Sequence, residues 1–122
     1  MTNDALELAL ATALEPDPAD IVRAGGRVLC WTTGHESALR GGGFHPRPFT
    51  TDGNAMLALI EVMRGAGWRH WSEETNDGDY ECVFVPRAKV ATSEYVQHKG
   101  KDKGIPRAVA IAAAKALGLE ES

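Results

Sequence analysis

Cysteine is scarce in this chain of 122 residues, which contains only Cys30 and Cys82. The two form no Cys-x-x-Cys pair and lie near no spaced pair of histidines, so the sequence gives no support for a zinc site. Each cysteine lies inside an apolar run typical of a strand, and we expect both to be buried free thiols in a reducing compartment. The cysteine pattern therefore predicts a fold without disulfides or a zinc site, and the sequence as a whole predicts no cofactor.

Long apolar runs and an excess of positive charge are missing as well. No run approaches the ~20 residues that cross a bilayer, and no basic region followed by an apolar core opens the chain. The formal net charge is −4, which excludes a uniformly basic surface for nucleic acid. The sequence also lacks a helix-turn-helix with a recognition helix rich in arginine and asparagine. We therefore expect a cytoplasmic protein that contacts neither a membrane nor a specific nucleic-acid sequence.

The composition is that of an ordinary globular protein, with 43% hydrophobic and 25% charged residues. A chain of this length fits one compact domain, and burial of roughly two-thirds of its unfolded surface supplies a core. We therefore expect residues 1–122 to form a single domain.

Three segments show the apolar spacing of amphipathic helices. Asn3 is placed to cap the first of them, and Pro16 stops it. A threonine cap precedes the second, and Pro106 lies in the first turn of the third. The predicted helices cover residues 3–15, 51–66 and 105–117.

Strand patterns occupy much of the remaining chain. The turn Asn76-Asp77-Gly78 between two alternating segments predicts a hairpin, and hence antiparallel pairing. Residues 99–104 are interpreted as a polar connector. The predicted fold class is α+β, with an antiparallel sheet of three to four strands and three helices packed on it, similar to an α/β/α sandwich. The predicted strands cover residues 27–33, 68–74, 79–86 and 89–97.

A long Gly/Pro-rich loop is predicted at residues 34–50, where three consecutive glycines and two prolines oppose regular structure. Its glycine run is flanked by Arg40, His45 and Arg47. Cations beside exposed backbone N–H groups suit a phosphate, although no Walker pattern is present. A second basic segment runs from Lys99 to Arg107. A plain flexible loop and a solvated basic surface remain the alternatives.

Three stretches of the chain together resemble a known family. They are FHPRPFTTDGNAMLALIEVM at 44–63, RHWSEETNDGDYECVFVP at 69–86 and GIPRAVAIAAAKALG at 104–118. In order and spacing they resemble the phage ABA-sandwich domain proteins, small phage-encoded proteins whose biochemical role is generally unknown. The resemblance implies helices on either side of a central sheet and a phage or prophage origin, hence the bacterial host cytosol. The glycine run 41–43 and the segment 99–103 depart from the pattern, and no catalytic residues carry over.

Catalytic motifs are not evident in the sequence. Ser37, Ser72 and Ser93 lack the G-x-S-x-G context of a nucleophile, and the four histidines match no ligand spacing. We therefore expect a protein that binds rather than an enzyme.

Two functions remain open after these exclusions. The first is a phage accessory protein that binds and sequesters a small anionic ligand, such as a nucleotide signal of host defence. The alternative is a protein-interaction module, either a phage inhibitor of a host protein or a small homo-oligomeric component, anchored by exposed Trp71, Phe44 and Phe49. The candidate ligand-binding residues are Arg40, His45, Arg47, Phe49, Trp71, Lys99, Lys101 and Arg107.

Overall fold

The computed structural model describes residues 2–15, 30–33, 44–86 and 97–119, with the backbone alone at 31–33, 44 and 45. Within these ranges the chain forms three helices and five strands, and none of these helices is long and apolar enough to cross a membrane. The helices are α1 (Asn3–Leu14), α2 (Gly53–Gly65) and α3 (Ile105–Ala116). The strands are β1 (Trp31–Thr33), β2 (Phe44–Pro46), β3 (Trp68–Glu74), β4 (Tyr80–Pro86) and β5 (His98–Asp102).

Each helix begins with a residue that suits a helix N-terminus, either a capping side chain or a proline in the first turn. Thr2 Oγ1 accepts a hydrogen bond of 3.1 Å from Ala5 N in α1. Asp52 Oδ2 accepts one of 2.9 Å from Ala55 N in α2. Both caps lie one residue from a predicted position, because neighbouring residues carry equally suitable oxygens. Pro106 occupies the first turn of α3 as predicted.

The strands form two antiparallel sheets. β3, β4 and β5 lie side by side in that order, and β1 pairs with β2. The hairpin between β3 and β4 turns at the predicted position, where Gly78 N donates to Thr75 O over 3.2 Å. The predicted α+β class, with three helices packed on an antiparallel sheet, is confirmed within the described residues.

The core lies between the helices and one face of the three-stranded sheet. Cys82 and Phe84 of β4 belong to the same buried cluster as Leu10, Leu59 and Val109 from the three helices. Since alternate strand residues share a face, this helix-covered face also contains His70, His98 and Gly100. Every described helix therefore packs on the same side of the sheet.

The other side of the sheet, here called the outer face, carries Val83 and Val85 of β4, which are also buried. The two tryptophans of β3 lie on opposite faces of the sheet, because they are three residues apart and alternate strand residues share a face. Trp68 packs against the core cluster and makes an edge contact with His98, with ring centroids 5.6 Å apart. Trp71 lies on the outer face and is 39% exposed.

Close contact between α3 and β5 depends on a glycine. A Cβ on Gly100 would lie 2.5 Å from Ala112 N and closer still to Ala108 O, both of them backbone atoms of α3. The helix presents small side chains at these positions, since Ala108 and Ala112 are both fully buried alanines. The absence of a side chain at residue 100 therefore lets the helix backbone rest almost directly on the strand.

Two predictions of local structure are wrong. Residues 98–102 form a strand rather than a polar connector, and residues 44–46 form a strand inside the predicted loop 34–50. Both segments have weak strand propensity, and each is held by pairing with another strand, which local composition does not report. The predicted strand at 89–97 lies almost wholly outside the described residues, as do residues 27–29 and the glycine run 41–43.

We predict that Gly100→Ala destabilises the fold by about 1–3 kcal/mol or more, because the added methyl group collides with helix backbone. Gly65→Ala is the matched control, since a Cβ there meets nothing within 4 Å. That control should leave stability unchanged or raise it by up to about 1 kcal/mol. Urea unfolding followed by circular dichroism measures both, and equal stability of the two variants would contradict the close packing.

Candidate functional site

A polar groove lies between the second half of α2 and the start of β3. Its walls are Ile60 and Arg64 from the helix and Arg69 and His70 from the strand, around a volume of about 320 Å³. Ile60 and Arg64 are four residues apart and so share one side of the helix. Gly67, with a φ of +101°, supports the tight connection that brings β3 back beside α2.

A second cavity continues this groove along α2. It has a volume of about 490 Å³, is lined by Leu57 and Glu61, and shares Ile60 and Arg64 with the first. Leu57 is 58% exposed, a high value for a large apolar side chain. The combined space, here called the α2–β3 groove, has the size of a small-molecule site, with Arg64 and Arg69 at one end and Leu57 and Glu61 at the other.

The two arginines of the α2–β3 groove have no partner for their charge. Among the residues that the structure describes, the guanidinium groups of Arg64 and Arg69 form no hydrogen bond and no ion pair. Two guanidinium groups at one concave site repel each other unless an anion joins them. Since guanidinium binds carboxylate and phosphate in a bidentate manner, an oxyanion suits this end of the groove.

His70 lies beside these arginines on the helix-covered face. Its Nε2 lies 3.0 Å from Ser72 Oγ, and its ring lies 5.2 Å from that of Phe84. Burial lowers the pKa of His70, and the positive charge of Arg64 lowers it further. The imidazole is therefore neutral near pH 7 and provides a hydrogen-bonding group rather than a third positive charge.

Two of the predicted ligand-binding cations are neutralised by neighbouring carboxylates. Lys101 Nζ lies 2.8 Å from Asp77 Oδ2 at the hairpin turn, and this contact raises the pKa of Lys101 and lowers that of Asp77. Arg107 contacts Asp102 at 3.3 Å and donates to Asn3 Oδ1 over 2.9 Å. Both side chains serve contacts within the chain, which reduces their capacity to bind an external anion.

Two other predicted residues are brought together by the sheet. Trp71 of β3 is opposite Val83 of β4, which in turn is opposite Lys99 of β5. Trp71 and Lys99 therefore lie in one row of the outer face, and both are exposed. This row lies on the face opposite the described helices. Arg107, which contacts Asn3 of α1, is therefore not part of it.

Phe49 was predicted as an exposed contact residue, and this prediction is wrong. It is fully buried in the core cluster, and the chain turns at Pro48, whose carbonyl accepts hydrogen bonds from Thr51 N and Asp52 N. Arg47 is half-buried, and its backbone N–H donates to Cys30 O over 3.0 Å. No described contact joins Arg47 to Lys99. The side chain of His45 and the whole of Arg40 lie outside the described residues.

Two carboxylates, of Glu7 in α1 and of Glu15 directly after it, form hydrogen bonds with later segments of the chain. Glu7 Oε2 accepts hydrogen bonds from Thr50 Oγ1 at 2.6 Å and Thr50 N at 3.2 Å. Buried Glu15 accepts a hydrogen bond from the backbone N–H of Cys30. Both carboxylates therefore have a structural role, because each fixes the backbone of a segment distant in sequence.

Both cysteines are buried free thiols, as predicted. Burial raises the pKa of Cys82 to about 12. Burial and the negative charge of Glu15 raise the pKa of Cys30 even further. Neither thiol is a nucleophile near neutral pH. Within the described ranges, no three His, Cys, Asp or Glu side chains are grouped so that they could hold a metal ion.

Three comparisons with known proteins, against family models, curated sequences and solved structures, gave no match. The resemblance to the phage ABA-sandwich domain proteins therefore stays a prediction. Arg64, Arg69 and His70 were not among the predicted site residues. The available signal was the helical spacing of Leu57, Ile60 and Arg64 on the second helix, where Leu57 and Arg64 are exposed and Ile60 is half-buried.

We predict that His70 titrates below its ordinary value of 6.5 and that Arg64→Gln raises its pKa part of the way back. The recovery is partial because burial, the larger cause, remains. Lys101→Gln is the control, since that charge lies at the hairpin turn. Titration of the imidazole by proton NMR measures all three proteins, and an unchanged pKa in the Arg64 variant would contradict the placement of Arg64 beside His70.

The same shift predicts a dependence of stability on pH. Because the folded state lowers the pKa of His70, the unfolded state binds the proton more readily. The contribution of His70 to stability is therefore complete above pH ~6.5 and is lost as the pH falls towards the folded-state pKa. Urea unfolding at pH 7 and at pH 5, which bracket the titration of histidine, measures this contribution. Between these two pH values the free energy of unfolding should fall less in His70→Asn than in the wild type.

Proposed function

We propose that this protein binds a small anionic ligand in the α2–β3 groove. The observation that carries the proposal is the convergence of Arg64 and Arg69, both without an ionic partner among the described residues, on a concave site of about 320 Å³. Charge-assisted hydrogen bonds from two guanidinium groups are among the strongest non-covalent contacts available to a phosphate or carboxylate. Neutral His70 adds a hydrogen-bonding group at the same end.

The other end of the groove supports a ligand with an apolar or flat portion. Leu57 and Ile60 line the adjoining cavity of about 490 Å³ together with Glu61 and Arg64, so the apolar contacts lie beside one carboxylate and one guanidinium group. A ligand with an anionic head at the arginines and a planar body against these side chains matches the distribution of charge. Nucleotides have this character, and a nucleotide is the ligand class we propose.

Binding without turnover is part of the proposal. Both thiols are protonated by burial, and His70 contacts Ser72 at an exposed position without a described carboxylate to orient it. A binding protein of phage origin that removes a nucleotide signal of host defence fits this chemistry and the resemblance noted above. The phage origin rests on the resemblance alone.

We predict that Arg64→Gln and Arg69→Gln each lower the affinity for the bound nucleotide by roughly ten- to a hundredfold, the worth of one charged hydrogen bond. Lys99→Gln is the matched control, because it removes one positive charge from the outer face. Native mass spectrometry with inorganic phosphate, pyrophosphate and a panel of linear and cyclic nucleotides identifies the ligand, and calorimetry gives the affinities. Loss of binding in the Lys99 variant alone would place the site at Trp71 and Lys99 instead.

A second candidate function is protein interaction. The observation that favours it is Trp71, an exposed aromatic side chain at the centre of β3, the edge strand of the described sheet. Exposed tryptophans on sheet edges are frequent anchors of protein interfaces. This surface is independent of Arg64 and of the apolar end of the groove.

A further inference from the structure

We propose that two copies of this chain associate through their β3 strands, paired antiparallel about a two-fold axis at Trp71. In this arrangement Arg69 of each copy lies opposite Glu73 of the other, and the two three-stranded sheets become one sheet of six strands. The inference does not rest on the proposed ligand, although Arg69 takes part in both proposals because it also lines the α2–β3 groove.

Among the residues that the structure describes, none is paired with the outer edge of β3. β3 is hydrogen-bonded to β4 on one side, and no described strand lies on its other side. Arg69 and His70 are adjacent and so point to opposite faces of the sheet, yet both line the same groove, which therefore opens at this edge. An unpaired strand of seven residues presents a row of backbone donors and acceptors that a second strand can satisfy.

The charges on this strand are unpaired within one copy. Arg69 and Glu73 lie on the outer face, and neither forms an ion pair among the described residues. They cannot reach each other, because four residues of strand separate them by about 13 Å. Across the sheet, Glu73 is opposite Glu81, a like charge that disfavours the position. Lys101 of β5 lies opposite Glu81 on its other side, and a cation opposite Glu73 at the edge of the sheet would add a second favourable pair.

The strand sequence is complementary to itself in one register. With the axis at Trp71, Arg69 is opposite the partner's Glu73, His70 is opposite the partner's Ser72, and the two Trp71 side chains face each other. Opposite charges and paired aromatics are both favourable cross-strand combinations. Moving the axis to Ser72 places Trp71 opposite Glu73 and leaves Arg69 opposite Thr75, so the charge pairing is lost.

The occupant of this edge is therefore a second copy, selected by charge and symmetry. A two-fold axis uses the same patch on both subunits, which requires a self-complementary surface such as Arg69–Trp71–Glu73. Trp71 is 39% exposed in one copy, and pairing with the second copy would cover part of this exposed side chain.

A charge exchange tests the pairing directly. We predict that Arg69→Glu and Glu73→Arg each weaken the dimer about tenfold or more, because each places two pairs of like charges at the interface. The double variant Arg69→Glu/Glu73→Arg restores opposite charges and should recover the wild-type dissociation constant. Lys99→Glu reverses a charge on the outer face of the other edge strand and should leave the dimer unchanged.

Sedimentation equilibrium over a concentration series measures the dissociation constants, with circular dichroism to verify that each variant is folded. Hydrogen exchange of residues 68–74 should slow as the dimer forms. A wild-type protein that stays monomeric throughout would overturn the proposal, and so would a dimer that the single variants do not weaken. Failure of the double variant to recover would overturn this register. Arg64→Gln lies outside β3 and affects only the ligand, so failure of the two proposals is distinguishable.

Discussion

Contact between the backbone of α3 and the backbone of β5 sets the geometry on which the rest of the molecule depends. Gly100 removes the side chain that would hold the layers apart, and Ala108 and Ala112 keep the facing surface of the helix smooth. With α3 this close to the sheet, Cys82 and Phe84 of the central strand are buried beneath it and beside α1 and α2. The described helices lie on one face of the sheet, and β3 is an edge strand of the described sheet.

The candidate functional residues of the described chain are grouped on β3, the edge strand of the described sheet. A central strand would have both neighbours occupied, and its charged side chains would be flanked on both sides. At the edge, Arg69 and His70 reach a groove formed with α2, while Trp71 and Glu73 remain open on the outer face. One strand therefore serves two candidate surfaces, a cationic groove and a self-complementary edge.

Long-range contacts decide which cations are available. The basic residues near β5 and α3 look suitable in sequence, but Asp77 and Asp102 lie beside Lys101 and Arg107 in the fold. Arg64 and Arg69 are ordinary surface residues in sequence and become a pair only because a two-residue connection returns β3 alongside α2. Availability of charge is a property of the contacts that surround each group, not of its residue type.

The sequence by itself determined the three helices, the Asn76–Gly78 hairpin, the separation of Trp68 from Trp71 between the two faces and the buried thiols. These features follow from periodicity, capping and turn chemistry, which act over a few neighbouring residues. Only the tertiary structure decided that His98–Asp102 is a strand, that Phe49 belongs to the core and that Arg64 and Arg69 have no ionic partner among the described residues. These outcomes depend on partners distant in sequence, since strand pairing, burial and ion pairing are set by whichever segments the fold brings together.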